Sequence, residues 1–488
     1  MTSELTRRGG KRRGMRAVLA AAGMAVALTA GTVAPAVAAP AAGQAAQAGR
    51  VPRAVLAVPA PHVWNWGGNV FGDLGNGTTN NIHPTPEEMA YAGVRQIAGT
   101  GDTTAVVLAD GTVAAWGANS TGEIGDGTTT ERDLPVIVPG LTGITQIAEG
   151  DYVLALDSSG RVWSWGANYY GQLGNGTTSN LNGANPTPVP VPGLTGITQI
   201  AAGAHSSFAL RSDGTVWAWG DNSDGELGDG TTVNHSSPEQ IRALTGVTKI
   251  FAGASTDYAI RADGTVLAWG SNNQGMLGIG TATGISTTPV PVPGLTGVTQ
   301  ITSSTYATLA LSGQNGAVWG WGPNYHGELG DGTTTAHYTP ELTGQSGVAQ
   351  ISAGALETAA ISFTGAVYVW GENTYGQLGN GTQDGNSHPS PVQVRALAGA
   401  TQILAAADHV VAVASPPAGV PSLIGDVQST AAQELQQAGF VLGRVTTVVD
   451  LTCEYIGVVK SQSPVAGTQE PLGTAVSITI GKAGGKCL

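Results

Sequence analysis

The sequence predicts a mainly β protein: a seven-bladed β-propeller closed by strands from both ends of a repeat array, followed by a small α+β domain. Three observations carry that expectation. One phrase recurs seven times at near-constant spacing, a second recurs upstream of most copies, and both stop near residue 415, where the pattern changes. Composition agrees. With 74 glycines in 488 residues and only 11% charged side chains, the chain is turn-rich, and helical periodicity is scarce.

The elements follow in chain order. Arg7, Arg8, Lys11, Arg12, Arg13 and Arg16 precede the apolar run 17–28, and Ala36-Val37-Ala38 offers small residues for cleavage, so residues 1–38 read as a secretory signal peptide. That run is too short to span a membrane. Gly9-Gly10-Lys11 suits a twin-arginine signal poorly, which favours the general export route. Residues 39–60, rich in Ala, Pro and Gln, read as a flexible leader, and the expected mature chain has no membrane span. It carries 14 Lys and Arg against 32 Asp and Glu, which disfavours nucleic acid and anionic membranes, because phosphate recognition needs clustered cations. The imbalance lies in residues 39–415, with 10 basic and 27 acidic side chains; residues 416–488 hold four and five.

The repeated phrase begins at Trp66, Trp116, Trp165, Trp219, Trp269, Trp321 and Trp370, at spacings of 50, 49, 54, 50, 52 and 49. Such a period signals a propeller or solenoid. The copy "WGDNSDGELGDGTT" sets Asp221, Asp224, Glu226 and Asp229 among glycines, as a calcium loop would. Comparison of the copies favours another reading. The place of Asp221 becomes Gly68, Ala118, Ala167, Ser271, Pro323 and Glu372, while W-G-x-N-x-x-G-x-[LI]-G-x-G-T persists. The constant glycines therefore serve backbone geometry and the constant Asn bonds local backbone. No metal and no cofactor is expected. The "NGT" triplets at Asn76, Asn175 and Asn380 are read as turn parts rather than glycosylation sites.

Upstream of the turns lies the second phrase, as in "TQIAAGAHSSFALRSDG" from Thr198: an apolar strand, a small-residue turn, an alternating strand and a Gly turn before the Val-x-x-Trp strand. The last copy, 401–415, lacks a Trp strand, and the first Trp strand, His62 to Trp66, lacks the preceding pair. Joining them completes a seventh blade and removes the open sheet edge. Residues 61–415 are thus read as the propeller, with the tryptophans packed between blades.

These blades resemble regulator of chromosome condensation (RCC1-type) repeats, whose "WGxNxxGQLGxG" core is matched by Trp165 to Gly176. That resemblance implies the propeller fold. Family members include nuclear guanine-nucleotide exchange factors, and secreted bacterial propellers of similar build include protein inhibitors of β-lactamases.

After a hinge at 416–419 the pattern becomes α+β. Thr430 with Gln433 suggests a capping box, Ala431, Leu435 and Ala438 share a helical face, and Gly439 ends the helix. Strands are expected at 441–449, 457–462 and 475–480. Residues 420–488 resemble a PASTA domain, matching Val420-Pro421, Leu423-Ile424-Gly425, Ala438-Gly439, Ser461-Gln462-Ser463-Pro464 and Ala466-Gly467-Thr468. The resemblance implies association with peptidoglycan, its stem peptides or β-lactams. Lys460, Lys482 and Lys486 are the candidates for an anionic wall polymer, and Cys453 with Cys487 reads as a disulfide in an exported chain.

Enzyme signatures such as G-x-S-x-G, H-E-x-x-H and a Walker loop are missing, so no catalytic residue is assigned. The candidate ligand-binding residues stand where the small-residue turns open onto one end of the ring: Asp102, Asp151, Tyr152, His205, Asp257, Tyr258, Glu357, Asp408 and His409. The expected function is that of a monomeric, secreted, non-enzymatic binding protein, extracellular or associated with the cell wall. Its propeller face would recognise a protein or glycan, and its tail peptidoglycan. The alternative is an inhibitor of an extracellular enzyme such as a β-lactamase; nucleotide exchange and polysaccharide hydrolysis rank below both.

Overall fold

In the computed structural model the described residues are 61–180, 183–397, 399–416, 418–470 and 473–485; the expected signal peptide and leader, Lys486 and Cys487 lie outside them. Seven four-stranded antiparallel sheets form the blades. In the second blade the strands run, from the inside outward, Val94–Thr100, Thr103–Leu108, Val113–Gly117 and Arg132–Ile137. The five blades at 144–190, 197–240, 247–291, 298–342 and 348–393 repeat this order. The first blade combines both ends of the array: His62–Asn69 pairs with His409–Ala414, with Gln402–Ala405 inside and Asn81–Ala92 outside. Closure thus occurs as the incomplete first and last repeats require.

An outer fourth strand in each blade goes beyond the three legible in the repeats. These strands range from two residues (Val189–Pro190) to twelve (Asn81–Ala92), carry prolines and expose alternate side chains. Proline is tolerated there because the free edge needs no further amide donor.

Two circular rows of side chains join the blades. All seven repeat tryptophans are at most 1% exposed. Each indole N–H donates to a backbone carbonyl of the preceding blade: Trp116 to Asp73 at 2.8 Å, Trp165 to Glu123 at 2.7 Å, Trp219 to Gln172 at 2.8 Å, and so around to Trp66, which reaches Gln377 at 2.7 Å. A buried indole needs such an acceptor. The glycine two residues after each acceptor lies against the same ring; a Cβ on Gly75 would come within 2.9 Å of Trp116, and its φ of 61° is itself left-handed.

The second row lies on the inner strands. Gln96 donates its amide to the Ile147 carbonyl at 2.7 Å and accepts the Ile147 amide at 3.0 Å. Gln146, Gln199, Gln300 and Gln350 make the same two bonds to an isoleucine of the next blade, while Gln402 accepts the Ile97 amide and donates to the Arg95 carbonyl. In the fifth blade Lys249 takes this place, and its ammonium makes only the donor bond, to the Thr299 carbonyl.

The second domain has its own core: Val420, Leu423, Ala431, Leu435, Ala438, Phe440, Val459, Val476 and Ile478. Its sheet places Ala475–Ala483 between Val441–Asp450, parallel, and Val459–Ser463, antiparallel. The helix spans Gln428–Gln437, so it starts earlier than the capping-box reading required. Val427 is the N-cap without a side-chain bond, and Thr430 sits inside the first turn. Ala431 and Leu435 are buried as expected, and Gly439 follows at φ 80°.

A candidate recognition face

Each blade presents two kinds of turn at one end of the ring: the small-residue turn between its inner and second strands, and the W-G-x-N loop after its third. Asn69, Asn119, Asn168, Asn222, Asn272, Asn324 and Asn373 hold these loops, each accepting a backbone amide five residues on; Asn119 takes that of Ile124 at 3.0 Å. The variable acids of the apparent calcium loop serve local bonds as well. Asp221 accepts the Ser223 amide and Asp229 the Thr231 amide, while Glu226 accepts the amide of Asp224. Among the described residues no group of three or more His, Cys, Asp or Glu side chains is placed to hold a metal ion.

Four of the nine candidate residues keep solvent access. Asp102 is half-buried, and Asp151, 20% exposed, accepts a bond at 3.0 Å from His205, which also packs on Tyr170. Burial opposes charge on His205, but the Asp151 bond and the nearby Asp221 and Glu226 raise its pKa overall. Asp408, 13% exposed, adjoins His409.

Tyr152, Asp257, Tyr258, Glu357 and His409 are buried, so a partner arriving from solvent does not meet their side chains. They stand on second strands, Tyr152, Glu357 and His409 opposite a glycine of the third strand, Asp257 opposite Trp269 and Tyr258 opposite Ala268, where neighbouring sheets cover them. The sequence placed them at turn tips; the register places them one step inward. The Tyr152 hydroxyl donates to the Ser206 carbonyl at 2.7 Å, and that of Tyr258 donates to the Met276 carbonyl at 2.6 Å. His409 bonds Thr104 at 3.0 Å, and its pKa rises because Asp408, Asp73 and Asp102 outweigh burial.

Beneath the turns lies a layer of buried acids, of which sequence reading singled out Asp257 and Glu357 as ligand candidates and missed Asp73 and Glu149. Burial pushes Asp73 up to about 7, Glu149 to about 8 and Glu226 to about 7. Asp257 and Glu357 are raised well above the carboxylate range, again by burial, and neither oxygen of Glu357 has a partner. A signal existed: the x of G-x-[LI]-G is Asp73, Glu123, Gln172, Glu226, Glu328 and Gln377, with Met276 the one departure. In those six the side chain accepts the amide two residues back.

Over the first three blades this layer opens into a cavity of about 260 Å³, lined by Phe71, Asp102, Glu123, Glu131, Asp151 and Tyr169.

In the second domain Lys460 bonds Asp450 at 2.8 Å, and that carboxylate also accepts the amides of Glu454 and Tyr455. Its ammonium is therefore engaged within the domain, whereas Lys482 is exposed and Lys486 lies outside the described residues. The expected Cys453–Cys487 bond likewise involves a residue outside them.

Comparison with known proteins matches this geometry. The family model of the RCC1-like domain matches residues 150–419, that of the regulator of chromosome condensation (RCC1) repeat 110–156, and that of the PASTA domain 419–482. The crystal structure of human WBSCR16 superposes with a TM-score of 0.66 at 24% identity, over 73% of this chain and 99% of that one. Prp20p from Saccharomyces cerevisiae, described with its binding to Gsp1p and histones, gives 0.66 at 21% identity over 74% and 93%. Among curated proteins, the mitochondrial RCC1 domain-containing protein RUG3 of Arabidopsis thaliana is 45% identical over 56 residues, and the regulator of chromosome condensation of Xenopus laevis 43% over 54. Each of these two matches spans 11% of this chain and 13% of the relative. The chain belongs to the RCC1-like domain family, and a PASTA domain follows its propeller.

Proposed function

We propose that this protein is a secreted, non-enzymatic binding protein in which the PASTA domain associates with peptidoglycan and the turn-rich end of the propeller recognises a protein. The observation that carries this reading is the joining of the two modules in one chain. A closed ring, fastened through every interface by the tryptophan and inner-strand rows, is a rigid platform for variable turns. Propellers of this family engage proteins, as Prp20p does Gsp1p and histones. The export signal read in residues 1–38 supports a location where wall polymer is accessible.

The test is sedimentation with purified cell wall of two chains, residues 39–488 and 39–415. Retention of the longer chain alone supports wall association through the PASTA domain. If neither sediments, wall association fails and a diffusible inhibitor of an extracellular enzyme becomes the reading to pursue.

A further inference from the structure

We propose that the cavity over the first three blades is a pocket for a basic side chain, lysine or arginine, presented by the protein partner; this inference rests on the protein-recognition reading above. Phe71 and Tyr169 supply ring surfaces, and Asp102, Glu123, Glu131 and Asp151 supply carboxyl groups. Among the described residues lining the cavity there is no lysine or arginine. Its volume, about 260 Å³, suits one extended side chain better than a folded peptide. Glu123 and Asp151 both act on the Tyr169 phenol, whose pKa rises through burial first and then through these two charges, so ring and carboxylates share one space.

A second observation points to a missing donor. Glu149 is only 2% exposed, and its Oε1 has no hydrogen-bond partner. Its carboxyl group is bonded by the Thr100 backbone amide and feels the charge of Glu123, and Thr100, Glu123 and the adjoining Gly150 all line the cavity. A buried oxygen without a partner behind an acid-walled cleft, and aromatic faces on that wall, both favour a ligand with a cationic N–H donor, the aromatic faces by cation–π attraction. The propeller's 27 acidic against 8 basic side chains over residues 61–415 steer a basic partner toward it.

The test uses the full chain and a fluorescent tetra-arginine peptide, read by anisotropy at moderate salt, with tetra-citrulline as the uncharged isostere. Tetra-arginine is expected to bind and tetra-citrulline not. Glu123→Gln with Asp151→Asn should weaken binding about tenfold, and Ala118→Arg, which places a guanidinium at the cavity wall, should abolish it at an unchanged melting temperature. Glu239→Gln with Glu341→Gln removes equal charge from exposed outer strands and should change little. Equal weakening by both pairs would mean diffuse charge attraction and overturn the pocket, as would binding that survives Ala118→Arg or no binding to the wild-type chain. Failure here leaves wall sedimentation untouched, and failed sedimentation leaves peptide binding untouched.

Discussion

At the end of the ring that carries the Asp-Gly turns, Asp110, Asp213 and Asp263 each accept the amide of a threonine two residues on, at 3.0, 3.0 and 2.9 Å. Those bonds hold their pKa values below the ordinary carboxylate range. At the opposite end Asp73, Glu149, Glu226, Asp257 and Glu357 sit under the turns, and burial drives their pKa values upward. The same residue types thus serve as ionised turn locks in solvent at one end and as proton-holding groups at the other. Position in the blade decides which: a turn tip supplies amide donors and water, whereas the space between sheets supplies neither in sufficient number.

The largest consequence is a tilt of stability with pH. Because burial raises the acids beneath the recognition face, the folded chain keeps protons that the unfolded chain releases, so their contribution is full at low pH and is lost as pH rises through the folded values of about 7 to about 8. Each such group contributes at most about 4 kcal/mol to this tilt. Denaturant midpoints should therefore fall between pH 5 and pH 8. A flat profile across that window would break the comparison.

Glu149→Gln isolates one group. It should raise stability at pH 8 by about 2 kcal/mol and leave it nearly unchanged at pH 5, because only the ionised form is penalised by burial. A smaller gain, about 1 kcal/mol at neutral pH, is expected from Lys249→Gln, which restores the second inter-blade bond and removes a half-buried charge; thermal melting reads it directly. The smallest effect belongs to Asp213→Asn at the exposed turn end. It should lower the melting temperature slightly at neutral pH, with the difference vanishing as acid protonates the wild-type carboxylate below its lowered pKa.

The blade count and closure were legible because tryptophan and glycine recur wherever a sheet interface or a left-handed turn demands them, as Trp116 against Gly75 illustrates. The outer strands were not, since Val189–Pro190 and Asn81–Ala92 answer only to solvent and keep no common pattern. The inner-strand glutamines stood in plain view in every "TQI" yet read as ordinary polar positions; their two bonds to the next blade depend on the ring being closed. Among candidate site residues, Asp151 and His205 do meet near the surface, 54 residues apart in sequence. Tyr152 and Asp257 do not, because a turn's sequence limits say little about which side of the strand end faces water. At the x of G-x-[LI]-G the residue type varies between copies; what persists is an acceptor oxygen for a backbone amide, supplied equally by Asp73, Glu123 and Gln172.

The most direct test of the two-ended account is a carboxyl-carbon NMR titration of the full chain labelled at Glu and Asp, with Glu149→Gln, Glu226→Gln and Asp213→Asn used to assign the resonances. The account predicts that the Glu149 and Glu226 signals titrate near about 8 and about 7, and that Asp213 titrates below the ordinary carboxylate range. Titration of all three together between about 3.5 and 4.5, the range of unperturbed acids, would contradict it.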